Sequence, residues 1–189
     1  VTARPAVESA PPLPDTRSLR FDGNHGLVEL EGQSALLTGG LTLEAWLCPS
    51  GAAQGNEVFI ALGGGSRGTS IQLWRNHQAD RFMLSVGRGA QLPTFRFALP
   101  RTAETWVHLA ATVDASNQVV IYTNGARAFA GSLNTFDPCA MVTDQRSRLG
   151  MGLDNNFPFS GRMTEVRLWN QVRTATEIAA AYNTRLSGT

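Results

Sequence analysis

Apolar and polar residues alternate along most of the chain, and the period is two. In LTLEAWLCP, Leu41, Leu43, Ala45 and Leu47 fall on one face, and Thr42, Glu44, Trp46 and Cys48 on the other. Such alternation predicts a strand. A Trp on the second face means that this face is not simply solvent-exposed. SLRFDG and GLVELE predict a strand pair turned at Asn24-His25, and EVFIALG, TSIQLWRN and DRFMLSVG predict three further strands. LPTFRFALP is a short run confined by proline at both ends.

TWVHLAATVD and QVVIYTNG predict a hairpin joined by ASN, and Asn124-Gly125 is a strong signal for a second turn, after which ARAFAG continues. A long connection, SLNTFDPCAMVTDQ, leads to SRLGMG and GRMTEVRLW, both strand-like. Only TATEIAAAY predicts a helix. Thr174 is its cap, Glu177 completes a capping box, and Ile178, Ala181 and Tyr182 form the apolar stripe. Many short strands, glycine-rich turns and one short helix predict an all-β protein of two antiparallel sheets facing each other. Trp46, Trp106, Phe59 and Phe82 are core candidates.

The chain has 189 residues, enough for one domain over 18–185, and residues 1–17 read as a flexible, proline-rich lead-in or linker. The net charge of +1 argues against a dedicated nucleic-acid binder, and no run of eighteen apolar residues exists to insert in a membrane. Cys48 and Cys139 allow one disulfide, which export would favour, and equally two buried free thiols. Three histidines and two cysteines without close spacing give no zinc motif. Residues 63–68, GGGSRG, lack the Lys-Ser/Thr ending of a phosphate loop.

Five segments in order resemble the laminin-G-like, concanavalin A-like jelly-roll family: LRFDGNHGLVEL, LTLEAWLCP, TWVHLAATVDASNQVVIYTNG, SRLGMG and FSGRMTEVRLWNQVRTATEIAAAYN. They run from about Leu19 to Tyr182. The resemblance implies a jelly-roll sandwich, a scaffold histidine at His108, and a rim calcium site at the opening turn, here Asp22 and Asn24. Thr164 stands where the family offers Asp, which removes an anionic ligand.

The fold hosts lectins, adhesion modules and glycan-cleaving enzymes alike, so function has to come from sites. Glycoside hydrolysis needs two carboxylates about 5–10 Å apart. On strands that means a run such as E-x-D-x-E, and none occurs. The expected function is therefore a non-catalytic module that binds carbohydrate on a rim or concave face. A protein-protein adhesion or structural module is the alternative, and a glycan-active enzyme is third. The partner is then a glycan or an extracellular protein, and the location secreted, periplasmic or cell-surface.

A sugar offers an apolar face ringed by hydroxyls, so its site needs an aromatic platform beside planar polar groups. Two stretches meet that requirement. LWRNHQADR offers Trp74 with Arg75, Asn76 and His77, and GLDNNFPF offers Asp154, Asn155 and Phe157. Trp74 equally suits a sheet cover, and Phe157 a plug for the sandwich end. Six arginines in the second half (Arg127, Arg146, Arg148, Arg162, Arg167 and Arg173) raise the further option of a basic patch for sulfated glycans. Glu165 and Arg167, two residues apart, predict a local ion pair.

Overall fold

The computed structural model describes residues 13, 17–30, 40–51, 55–63, 69–78, 81–88, 94–97, 103–133 and 147–186. In chain order the strands are β1 (Leu19–Asp22), β2 (Val28–Leu30), β3 (Gly40–Pro49), β4 (Glu57–Gly63), β5 (Thr69–Asn76) and β6 (Arg81–Arg88). Then come β7 (Thr94–Phe97), β8 (Val107–Asp114), β9 (Gln118–Thr123), β10 (Ala126–Ser132), β11 (Ser147–Leu149) and β12 (Ser160–Trp169), followed by helix α1 (Ala175–Ala181).

The strands form two six-stranded antiparallel sheets, A in the order β1-β12-β3-β8-β9-β10 and B in the order β2-β11-β4-β5-β6-β7. The inward faces of both sheets supply one core, with Leu41, Leu43, Leu47, Leu109 and Ile121 from A against Phe59, Ile60, Ile71, Leu73, Leu84 and Phe97 from B. This is the expected jelly-roll sandwich.

Local turn chemistry holds where it was legible. Asn124 and Gly125 sit at φ 48° and 78°, the left-handed pair that a two-residue hairpin loop requires, and join β9 to β10. Thr174 caps α1 in the expected box, its hydroxyl accepting from Glu177 N–H while the Glu177 carboxylate accepts from Thr174 N–H.

Three expectations are corrected. The opening strands are not a pair: β1 joins β12 in sheet A, and β2 joins β11 in sheet B. Trp46 and Trp106 lie outside the inter-sheet core. With Leu13, Cys48 and the half-buried Tyr182, they form a second cluster on the outer side of sheet A. Leu13, in the lead-in, is itself only 3% exposed.

Helix α1 covers this outer side. Its Ile178 packs on Ala110 and Tyr122, and Trp46 Nε1 donates to the carbonyl of Tyr182 at 2.8 Å. The closing strand β12 carries a bulge between Thr164 and Arg167, with Glu165 at φ 49°. The bulge puts the Glu165 carboxylate 2.8 Å from Arg167 Nη2, the ion pair expected of these residues.

Candidate functional site

Residues paired across antiparallel strands point to the same face. In sheet B, Ile71, Leu73, Phe82, Leu84 and Phe97 fill the core, so their neighbours in sequence face outward. One outward row runs Val58, Trp74, Met83, Arg96 from β4 to β7. A second runs Glu29, Arg148, Ala61, Gln72, Ser85 from β2 to β6. Trp74 is half-buried and stands near the middle of this face. Its Nε1 donates to Ser85 Oγ at 2.7 Å, which fixes the ring through a diagonal neighbour on β6.

The GLDNNFPF loop meets the same face. Arg148 projects outward from β11 and is only 3% exposed. Its Nη1 donates to the carbonyls of Gly152 and Leu153 and to Asn155 Oδ1 at 3.3, 3.2 and 2.7 Å, and its Nη2 donates to Glu29 Oε1 at 3.0 Å. The loop thus winds around a buried guanidinium.

Asn155 and Phe157 hold φ of 57° and 54°, the left-handed region that a bulky side chain rarely adopts. Phe157 remains 43% exposed, and its carbonyl accepts from Val58 N–H at 2.8 Å. Val58 is the cross-strand partner of Trp74. The two stretches that the sequence nominated separately therefore converge at β4. Two strand spacings, about 10 Å, separate the line of β11 and its loop from β5. Asp154 and Asn156 are exposed beside Phe157.

The rest of the first stretch is placed differently. Arg75 has the inward parity of Leu73. It is buried, with Nη1 donating to Glu57 Oε2 at 3.0 Å, so it is not offered to a ligand. Glu57 ties the sheets together at this end, its Oε1 accepting from Ser160 N–H of sheet A at 3.0 Å. Burial raises the Glu57 pKa, and the contacts from Ser160 and Arg75 offset that only in part. Asn76 shares the outward parity of Trp74 and is half-buried. His77, just beyond β5, donates its backbone N–H to Asn56 Oδ1 at 3.0 Å.

Asp22 closes its own turn. Its Oδ1 accepts from the backbone N–H groups of Asn24, His25 and Gly26 at 2.9, 3.0 and 3.0 Å. These bonds hold its pKa at about 2, those to Asn24 and Gly26 contributing most. The Asn24 amide donates to the Asp22 carbonyl at 3.4 Å. Thr164 is four residues along β12 from Ser160, the partner of Asp22, and donates to the carbonyl of Arg17 at 2.8 Å. An oxygen ringed by N–H donors is a poor cation ligand. Among the described residues no three His, Cys, Asp or Glu side chains gather closely enough to hold a metal. Asp22 Oδ1 is thus committed to its own turn, and Thr164 supplies no anionic ligand beside it.

Among the described residues Cys48 is buried and unbridged, and its Sγ accepts from Arg162 Nη2 at 3.6 Å. Its anticipated partner, Cys139, lies outside the described residues.

The basic patch is dissolved as well. Arg148, Arg167 and Arg173 are buried, and the Arg162 guanidinium lies 5.5 Å from the Trp106 ring centre. Arg127 is exposed, and Arg146 lies outside the described residues.

Sequence reasoning missed one cluster altogether. Glu44 is fully buried on the outer side of sheet A. Its Oε1 accepts from Arg173 Nη1 at 2.7 Å, and its Oε2 lies 3.4 Å from His108 Nε2 and 3.8 Å from Arg167 Nη1. Burial alone would raise the Glu44 pKa, but the contacts from His108 and Arg173 outweigh it and the net shift is downward. The cluster lies under the C-terminal segment. Arg173 also donates to the Glu177 carbonyl and stacks 4.4 Å from Trp169, and Arg167 donates to the carbonyls of Ala181 and Thr184. The capping-box and ion-pair signals in the closing segment were legible. The destination of Arg173, across the fold at Glu44, was not.

Two facing six-stranded sheets, with an aromatic-bearing outer face walled by an anchored loop, define a lectin-like sandwich. The chain belongs to the concanavalin A-like lectin/glucanases superfamily, whose laminin-G-type family model matches residues 22–179. No curated protein matches it in sequence.

Solved structures share the architecture. The carbohydrate-binding module CBM40 of the Ruminococcus gnavus IT-sialidase, bound to α2,3-sialyllactose, superposes with a TM-score of 0.70 at 12% identity, covering 87% of this chain and 96% of that one. A SAP-like pentraxin from Limulus polyphemus gives 0.66 at 11% identity, over 86% and 79% of the two chains. A leech intramolecular trans-sialidase gives 0.69 at 12% identity, over 91% of this chain but only 28% of that enzyme. At these identities the likeness is one of fold.

Proposed function

We propose that this protein is a non-catalytic, exported recognition module that binds carbohydrate on the outer face of sheet B. Trp74 is the platform, and the loop carrying Asp154, Asn155 and Phe157 is one wall. The observation that carries the reading is the convergence of these two elements at β4, with Trp74 oriented by Ser85 and the loop anchored on Arg148. A locked indole stacks on a pyranose face at little entropic cost, and exposed side-chain amides suit the ring hydroxyls. The carbohydrate-binding module among the structural neighbours supports the same reading. Glu44 and Glu57, buried and held by arginines, lack the access that a glycosidic carboxylate needs.

Trp74→Ala is expected to leave the fold intact, because the ring projects away from the inter-sheet core, and to weaken glycan binding about tenfold or more. A glycan array followed by calorimetry on the best ligand measures this, with circular dichroism as the folding control. Full affinity in a folded variant would remove Trp74 from the site.

Calcium is not required in this reading. Melting curves in calcium and in chelator are expected to coincide. A higher melting temperature in calcium would return Asp22 to consideration.

A further inference from the structure

The outward row through Trp74 ends on a charge. Met83 pairs with Trp74 on one side and with Arg96 on the other, so all three side chains leave the same face of sheet B. Arg96 sits on β7, the edge strand, between Phe95 and Phe97, which face the core. It is exposed and makes no hydrogen bond or ion pair with a described residue. In this it differs from Arg75, Arg148, Arg167 and Arg173, all buried and committed to carboxylates.

Two strand spacings put the Arg96 Cα about 10 Å from that of Trp74, and a flexible side chain closes much of that distance. Met83, buried between them, gives the gap an apolar floor. On the other side of the face the exposed charge is that of Asp154 in the loop, Glu29 at the β2 edge being paired with Arg148.

We infer that the ligand is an acidic saccharide, its ring on Trp74 and its carboxylate on the Arg96 guanidinium. The inference rests on the Trp74 reading. A planar guanidinium matches a carboxylate with two parallel N–H···O bonds, a geometry that neutral sugars cannot use. Asp154 sets the direction: it repels an anion from the loop side, so the acid group points toward β7 and the neutral end toward the loop.

The chemistry is shared by uronic acids and sialic acids. Calorimetry with two pairs of probes separates them: trigalacturonate against its carboxyl-reduced form, and α2,3-sialyllactose against lactose. Wild-type protein is expected to prefer the acidic member of at least one pair by about tenfold. Arg96→Ala should erase that preference while leaving the neutral member's affinity within twofold, and Arg96→Lys should keep part of it. Trp74→Ala should weaken both members together.

Trp74-dependent binding of neutral sugars without an acidic preference would overturn the inference and leave the proposed function standing. An acidic preference that survives in Arg96→Ala would also overturn it. No binding of any of the four probes would count against the inference and the site together.

Discussion

Glu44→Ala should destabilise the protein by about 3–5 kcal/mol, the largest effect expected of any polar substitution here. Glu44 is wholly buried, and three basic side chains surround it: His108 of β8, Arg167 of β12, and Arg173, which immediately precedes the cap of α1. Removing the carboxylate leaves the Arg173 guanidinium without its 2.7 Å acceptor inside a desolvated pocket. The cost is that of an uncompensated buried charge rather than of one hydrogen bond.

Urea unfolding measures it. Glu44→Gln should fall between wild type and Glu44→Ala, because an amide oxygen still accepts from Arg173. Replacing Glu44 and Arg173 together by leucine should recover much of the loss, since no lone charge then remains. A midpoint in Glu44→Ala equal to that of wild type would show that the cluster contributes little to holding the helix.

A pH dependence accompanies this. The folded pKa of Glu44 is depressed, so the folded state favours the ionised form. Its stabilising contribution is complete above the ordinary carboxylate range, and is lost as pH falls through the lower folded value. Glu57 has the opposite sign, because its raised pKa makes the folded state take up a proton more readily than the unfolded chain. Acid sensitivity traced to Glu44 should therefore disappear in Glu44→Gln, while the contribution of Glu57 persists.

Sequence pattern captured whatever depends on near neighbours. The alternation in β3 assigned Leu41, Leu43, Ala45 and Leu47 to the core correctly, and Asn124-Gly125 announced its hairpin, because both signals lie within one strand or turn. Pairings across the chain were hidden. β1 and β2 look like a hairpin, yet each finds its partner more than a hundred residues away. Glu44 looks isolated until Arg173, 129 residues on, folds over it. The second face of β3 was recognised as not simply exposed. That α1 and Leu13 cover its outer side required the tertiary fold.

The candidate site shows the same division. Trp74 and the GLDNNFPF loop were each visible as composition, but their meeting depends on the register of β4 against β5 and on the Phe157-to-Val58 bond. Arg75 was assigned to the ligand because it adjoins Trp74. Parity sends it to the opposite face, where Glu57 waits. Arg96 has the opposite history. Its outward parity was readable in TFRF, but its place beside Trp74 needs two registers, β5 with β6 and β6 with β7.

Arg148 anchors the GLDNNFPF loop beside the candidate site. Arg148→Ala should destabilise the protein by about 2–4 kcal/mol and loosen residues 150–159 before the rest of the sandwich unfolds. One guanidinium group satisfies two loop carbonyls and the Asn155 amide oxygen while pairing with Glu29. Without it, the carbonyls of buried Gly152 and half-buried Leu153 must find water, and the exposed Asn155 and Glu29 side chains lose the partner that ties them to β11. The left-handed backbone at Asn155 and Phe157 then loses the contacts that hold it against its strain. Arg148→Lys keeps the charge but not the planar fork, so it should recover only part of the stability.

Hydrogen exchange is the direct measurement. The amides of Gly152, Asn155 and Phe159, now bonded within the segment, should lose protection, while those of β8 and β9 keep theirs. Equal protection in variant and wild type would mean that backbone bonds alone hold the loop. Glycan affinity, read on the same variant, separates two roles for the segment. If Asp154, Asn155 and Phe157 touch the ligand, a loosened loop must be reordered on binding and affinity falls. If affinity holds while exchange quickens, recognition belongs to Trp74 and its strand neighbours, and the loop only borders them.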